Sequence, residues 1–354
     1  MKVRNILIFI IAIAVFCTSA MAKTVVLSDY CVPDDAGDDS SGFQHAVDDV
    51  LNSGGGTLLV GEGTWDLDHG INIWSFGDYG NAVSIVIRGD GGSVINLRLN
   101  DQETGFDVGN KNRFEMRGLI FTGTPGERID AGRLASIRYT LLTVVSECEF
   151  YGIRTSGALF HIGNTDATFE NDNFDGNATG SGFANIHAVD FGGLTVKHSQ
   201  FFDYGTSKGV FYSKSGYNAG SWINAEAANS ESSTNSGSER VVRIEDSRFD
   251  EGAFVGVRLT NVSNALLSGL SFNLSSGDGA TGILLDNVGL AELKMSKFGW
   301  ARVHRPAVTA VNSTTLNAMS LSFGDGVYFL ESDTTAIINS SFCRQCTENR
   351  QPLV

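Results

Sequence analysis

Three observations predict that this chain is all-β, a parallel β-helix of about ten coils closed at its N-terminal end by an α-helix. A short segment ending in phenylalanine recurs along the sequence, at Phe150, Phe174, Phe201, Phe249, Phe272, Phe298, Phe323 and Phe342, with an earlier copy at Phe121. Apart from one doubled interval, the copies from Phe150 onward stand 19 to 27 residues apart, the period of a unit that buries its apolar face only when neighbours stack on it. Each copy is also preceded by a second short strand with period-two alternation, and 42 Gly against 4 Pro suit short strands joined by tight turns.

The chain opens with Lys2 and Arg4, an apolar run from Ile6 to Phe16, and Ala20-Met21-Ala22 ahead of Lys23. That pattern predicts a secretory signal peptide over 1–22 and a single domain over 23–354. The run is too short to span a bilayer, and Phe16 before Cys17 is a poor lipoprotein cleavage site, so soluble export to the extracellular or periplasmic space is expected. Without Lys2 and Arg4, 23 basic residues face 40 acidic ones, a mature net charge of −17. Such a chain is not built to hold nucleic acid. Four cysteines remain after export; Cys343 and Cys346 read as a local disulfide, and Cys148 as a small buried residue.

The N-terminal cap is expected over about 30–66. Phe43, Ala46, Val47, Val50 and Leu51 fall on one helical face after Asp39 or Ser40 as N-cap, Gly54-Gly55-Gly56 breaks the helix, and a strand follows at Thr57-Leu58-Leu59-Val60. The coils occupy about 67–346. Their alternating strands begin at Phe106, Phe160, Ile186, Val257, Ile283, Val308 and Val327, with the first and third residues inward and the second outward. The fifth residues are Asn110, Asn164, Asp190, Asn261, Asn287, Asn312 and Glu331. They sit where the chain turns, and an asparagine there tolerates left-handed backbone and can bond its counterpart in the next coil. Within the doubled interval, a Ser/Asn/Gly-rich excursion is expected over 216–239, carrying Tyr217 and Trp222.

The motifs Gly37-Asp38-Asp39-Ser40, Phe43-Gln44, Gly54-Gly55-Gly56-Thr57 and Gly63-Thr64-Trp65 resemble the opening of the pectate-lyase-like superfamily of secreted right-handed parallel β-helices. Gly61 stands where that pattern usually has Pro, and Trp65 where it has Tyr. With the coil repeats, the resemblance covers nearly all of the mature chain. It implies the right-handed fold and, more loosely, a polysaccharide partner, because this fold hosts lyases, hydrolases, epimerases and non-catalytic surface proteins.

The second residue of each strand defines an outward column of Asp107, His161, His187, Arg258, Leu284, Thr309 and Tyr328, with Tyr212 placed between His187 and Arg258. His161 is thus expected to be exposed. With coils about 4.8 Å apart, His161, His187, Tyr212 and Arg258 form a row of about 14 Å, and Arg133 or Arg138 supplies the coil between Asp107 and His161. In pectate lyases the comparable sheet carries the substrate groove, where acidic residues hold calcium. This sequence has no counterpart of that acidic segment and requires no cofactor, so calcium enters only through the resemblance.

β-Elimination of a uronate needs a cation for the carboxylate, a base for the C5 proton and an acid for the leaving oxygen. Arg258 is assigned to the carboxylate, His187 or His161 to the proton and Tyr212 to the leaving group. Asp107 and Trp222, and a basic turn holding Trp300, Arg302 and Arg305, are assigned to binding an anionic polysaccharide. Two readings follow: a lyase on an acidic glycan, or a non-catalytic surface or carbohydrate-binding β-helix. Glycoside hydrolysis is weaker, because it needs two carboxylates on one groove and the column offers only Asp107. Asn-x-Ser/Thr sites stand at Asn177, Asn261, Asn273, Asn312 and Asn339.

Overall fold

The computed structural model describes residues 23–74, 83–124, 129–180, 183–202, 221–226, 240–250, 255–274, 281–300, 305–311, 315–323, 327–332 and 337–341. The segment 1–22, Tyr212, Tyr217, Arg302, Asn312, Phe342, Cys343 and Cys346 lie outside these residues. The described chain is a right-handed parallel β-helix whose coils contribute strands to three sheets. Sheet one runs from Ile71–Trp74 through Phe160–Gly163, Ala184–Val189 and Val255–Thr260 to Val327–Ser332. Sheet two runs from Lys23–Val26 to Ile337–Ser341, and sheet three holds ten strands from Gly63–Leu67 to Ser322–Phe323. Two long strands, Thr104–Arg117 and Arg133–Ser146, pass through the corner and belong to sheets one and two together.

The phenylalanine repeat forms the spine of the core. Phe121, Phe150, Phe174, Phe201, Phe249, Phe272, Phe298 and Phe323 are paired in register along sheet three. Their rings stack face to face, with centroids 4.7 to 5.0 Å apart from Phe150 to Phe298. The strand spacing of a parallel sheet fixes that distance, so the side chain that fills one coil suits the next.

Two corners turn the chain by left-handed residues. Between sheets one and two, Asn110, Asn164, Asp190, Asn261 and Asn287 have φ of 49 to 56°, and Asn287 Nδ2 donates to Asn261 Oδ1 at 2.7 Å. Between sheets two and three stands a column absent from the sequence reading. Cys148 N donates to Asp172 Oδ1, Asp172 N to Ser199 Oγ, Ser199 N to Ser247 Oγ and Leu270 N to Ser296 Oγ. Each side-chain oxygen satisfies a backbone N–H of the coil beneath it, where a turn would otherwise bury an unpaired donor.

The cap is a helix, Ser40–Asn52, with Asp39 as N-cap and Phe43, Ala46, Val47 and Val50 buried. Asp39 caps the helix through its backbone carbonyl, which accepts from Phe43 N, and not through its side chain; its Oδ2 accepts from Asp66 N at 2.9 Å, tying the cap to sheet three. Cys148 is fully buried, as expected, and it and Cys31 are free thiols.

Three expectations are corrected. Each coil has three strands, because the sheet-two strand lies only two residues before the phenylalanine segment and merges with it in the sequence. The doubled interval holds a sheet-one strand, Ser221–Glu226, inside the segment expected to be an excursion; Ile223 pairs with Ile186 and Val257. In the last described coil Val308 pairs with Leu330 and Thr309 with Glu331, so Glu331, and not Tyr328, stands in register with Thr309, and Tyr328 pairs with Pro306.

Candidate functional site

The register of sheet one places Asn72, Asp107, Ser136, His161, His187, Asn224, Arg258, Leu284 and Thr309 side by side. Asn224 therefore holds the position between His187 and Arg258 that was assigned to Tyr212. A second outward column, two residues along each strand, contains Trp74, Gly109, Arg138, Gly163, Val189 and Glu226. Gly109 is required there, since a Cβ would stand 2.5 Å from the Trp74 ring. Trp74 lies across it and carries the Arg138 guanidinium 5.2 Å from its ring centroid.

The middle of this face is not the open polar surface expected. His187 is only 8 % exposed and Asn224 4 %, Ser136 is buried and His161 is half-buried. The two histidine rings meet edge to face, centroids 5.8 Å apart, and Phe183 meets the His187 ring at the same distance. A sheet face lined by aromatic side chains loses water, and polar groups left there feel each other strongly. His187 Nε2 lies 2.9 Å from Glu226 Oε1. A carboxylate only accepts, so the ring donates there, and the other nitrogen, Nδ1, is buried without a partner.

Glu226 is the hub of the cluster. The hydrogen bond from His187 holds its carboxyl below the usual carboxylate range despite partial burial, and the nearby charges of His187, Arg258 and His161 act in the same direction. His161 is pushed down to about 4, first by burial and then by the positive charges of Arg133, His187 and Arg138. At neutral pH it is a neutral imidazole with a free lone pair. Asp107 accepts from Arg138 Nη2 at 3.1 Å. Arg133, Arg138 and Arg258 thus outnumber Asp107 and Glu226 in a chain of net charge −15.

The remaining sequence-assigned residues are scattered. Trp222 belongs to the sheet-one strand Ser221–Glu226, not to a loop. Trp300 ends a strand of sheet three and Arg305 begins one of sheet one, two coils beyond Arg258. They do not join the histidine cluster along one strand column. Glu226, Asn224 and Trp74 were not expected at the site. Among the described residues no group of three or more His, Cys, Asp or Glu side chains is gathered as metal ligands. Of the glycosylation sequons, Asn177 is fully buried, with Oδ1 accepting from Ile153 N and Nδ2 donating to Phe150 O.

The fold and this face define a parallel β-helix with a half-buried His/Arg/Glu cluster on one sheet. No family model and no curated protein matches the chain. Among solved structures, PfbA, a surface adhesin of Streptococcus pneumoniae, is similar at a TM-score of 0.54 and 13% identity, over 90% of this chain and 90% of that one. DFA-IIIase from Arthrobacter chlorophenolicus A6, in complex with GF2, is similar at a TM-score of 0.54 and 10% identity, over 89% of this chain and 86% of that one. At such identities the likeness is one of fold.

Proposed function

We propose that the protein is exported and acts on an acidic, uronate-containing polysaccharide as a lyase, by β-elimination. The observation that carries this reading is the row of half-buried His161, buried His187, partly buried Glu226 and exposed Arg258, flanked by Arg133 and Arg138, on an otherwise acidic molecule. The lyase assignment draws on the resemblance of the cap motifs to the pectate-lyase-like superfamily. The exported setting draws on the N-terminal apolar run.

In this mechanism Arg258 neutralises the uronate carboxylate, which stabilises the negative charge that builds up when C5 loses its proton. His161, neutral above about pH 4, takes that proton. An anionic sugar beside it opposes the repulsion from Arg133 and Arg138 and strengthens it as a base. The C4–O bond breaks as the C4–C5 double bond forms, and the leaving oxygen takes a proton from solvent while His161 releases the one it removed from C5. Calcium is not needed for any of these steps; bound, it would add a second neutralising charge at the carboxylate.

The hydrolase alternative loses ground on distance. Asp107 and Glu226 lie on strands four steps apart, roughly 19 Å, whereas inverting glycosidases hold their carboxyls about 6.5 to 9.5 Å apart. A non-catalytic carbohydrate-binding reading is favoured by one feature, the burial of His187 Nδ1, which leaves that ring no free nitrogen on the open face. PfbA, with the same fold, is a surface adhesin.

The deciding experiment follows the ultraviolet absorbance of unsaturated uronate products on a panel of polyuronates, with and without calcium, for the wild type, His161→Ala and a His187→Ala, Arg258→Ala double variant. A rise that falls by about a hundredfold or more in the variants is expected, and it should fade as pH drops through about 4. Retained glycan binding without absorbance or new reducing ends would establish the binding reading instead.

A further inference from the structure

Among the described residues, the corner column between sheets one and two has one bulky aromatic member. Where neighbouring coils place Asn110 and Asn164, the intervening coil places Tyr139, with φ of 54°. The left-handed region suits Asn and Gly, whereas a bulky L side chain enters it at a cost in strain. Tyr139 is also 46 % exposed, and Leu141, two residues on, is 70 % exposed. The corner imposes that conformation on every described member of the column, and among the described residues the Tyr139 ring has no aromatic neighbour and its hydroxyl no hydrogen-bond partner, so nothing among them calls for an aromatic ring at this place. Strain of this kind persists where it serves a site.

The position supplies the site. Tyr139 follows Arg138 directly, and Arg138 pairs with Asp107 and stacks on Trp74. Its Nε is buried without a partner. The strand carrying it lies next to the one carrying His161. The Arg138 guanidinium over the Trp74 ring thus stands at the N-terminal end of the row, with the exposed Tyr139 the next residue along the chain. Sugar rings present an apolar C–H face to aromatic side chains, and their carboxylates pair with arginine.

We infer that Tyr139 is a glycan-contacting residue: with Trp74 and Arg138 it forms an aromatic, cationic subsite for a uronate sugar, next to the histidine row. This rests on the reading of the face as a polysaccharide site and adds to it the residue that fixes the sugar's position. Tyr139 touches no reacting atom, so its loss acts on binding and leaves turnover of bound substrate unchanged.

The test uses Tyr139→Asn, Tyr139→Gly and Tyr139→Phe in the mature protein, with thermal melting and affinity electrophoresis in polyuronate and in neutral glycan gels. Asn and Gly are at home at positive φ, so both should melt higher, by about 2 °C for the Asn variant, while binding polyuronate about three- to tenfold more weakly. The Phe variant should keep both wild-type values. Wild-type affinity in Asn and Gly, or a lower melting temperature in both, would overturn the inference. No binding of any glycan by the wild type would instead overturn the polysaccharide reading on which it stands, and the two failures are separated by the wild-type lane alone.

Discussion

Asp172 occupies the corner position that other coils give to Ser199, Ser247 and Ser296, and it carries one oxygen more than the position uses. Its Oδ1 accepts from Cys148 N, while Oδ2 is buried without a partner. Burial raises its pKa well above the usual carboxylate range, so the folded chain keeps a proton that the unfolded chain releases near pH 4. Stability contributed by this protonated form is complete below that pH and declines as pH rises towards the folded value. Asp172→Ser keeps the acceptor for Cys148 and removes the stranded oxygen. It should stabilise the protein at neutral pH by about 1 to 3 kcal/mol, and denaturation at pH 4 and pH 7 should show a smaller difference than in the wild type. An unchanged pH dependence would mean that Asp172 does not titrate in this range.

At the level of the element, the stack of eight phenylalanines makes each coil depend on the ones either side of it. Phe249 lies between Phe201 and Phe272 at 5.0 and 4.8 Å, and Phe249→Ala should cost about 3 to 5 kcal/mol, measurable by chemical denaturation. A cost below about 1 kcal/mol would mean that the neighbouring coils collapse into the gap. This repeat was legible in the sequence because one large side chain must recur wherever the core has one width. Sheet two was not, since strands such as Leu194-Thr195-Val196-Lys197 end two residues before Gln200-Phe201 and the pair reads as one segment. The site was legible only in part. Asp107, His161, His187 and Arg258 fall in strands marked by the repeat. Asn224 and Glu226 lie in a strand that follows no regular interval, and Arg138 lies in a long strand whose corner carries Tyr139 where the marker asparagine is expected.

Across the whole molecule, the acidic surface and the cationic row act on a polyanion at different ranges. The net charge of −15 repels it from afar, whereas Arg133, Arg138 and Arg258 attract it at contact. Salt at about 0.1 M screens interactions beyond roughly 10 Å and affects half-buried contacts much less. Association with polyuronate should therefore become faster between about 0.01 M and about 0.1 M salt, as stopped-flow mixing would show. A steady slowing over that range would mean that the positive row governs the approach as well as the contact. The strict pairing of coil on coil has a consequence for how such a protein can change. Val255 pairs with Thr281, and Ser221 with Val255. Excising one complete turn from Val255 to just before Thr281 would bring Leu284 alongside Asn224 with every inward side chain still over its counterpart. The binding face can thus be rewritten by adding or losing whole modules, much as a sentence is edited by the clause, while the grammar of the interior stays intact.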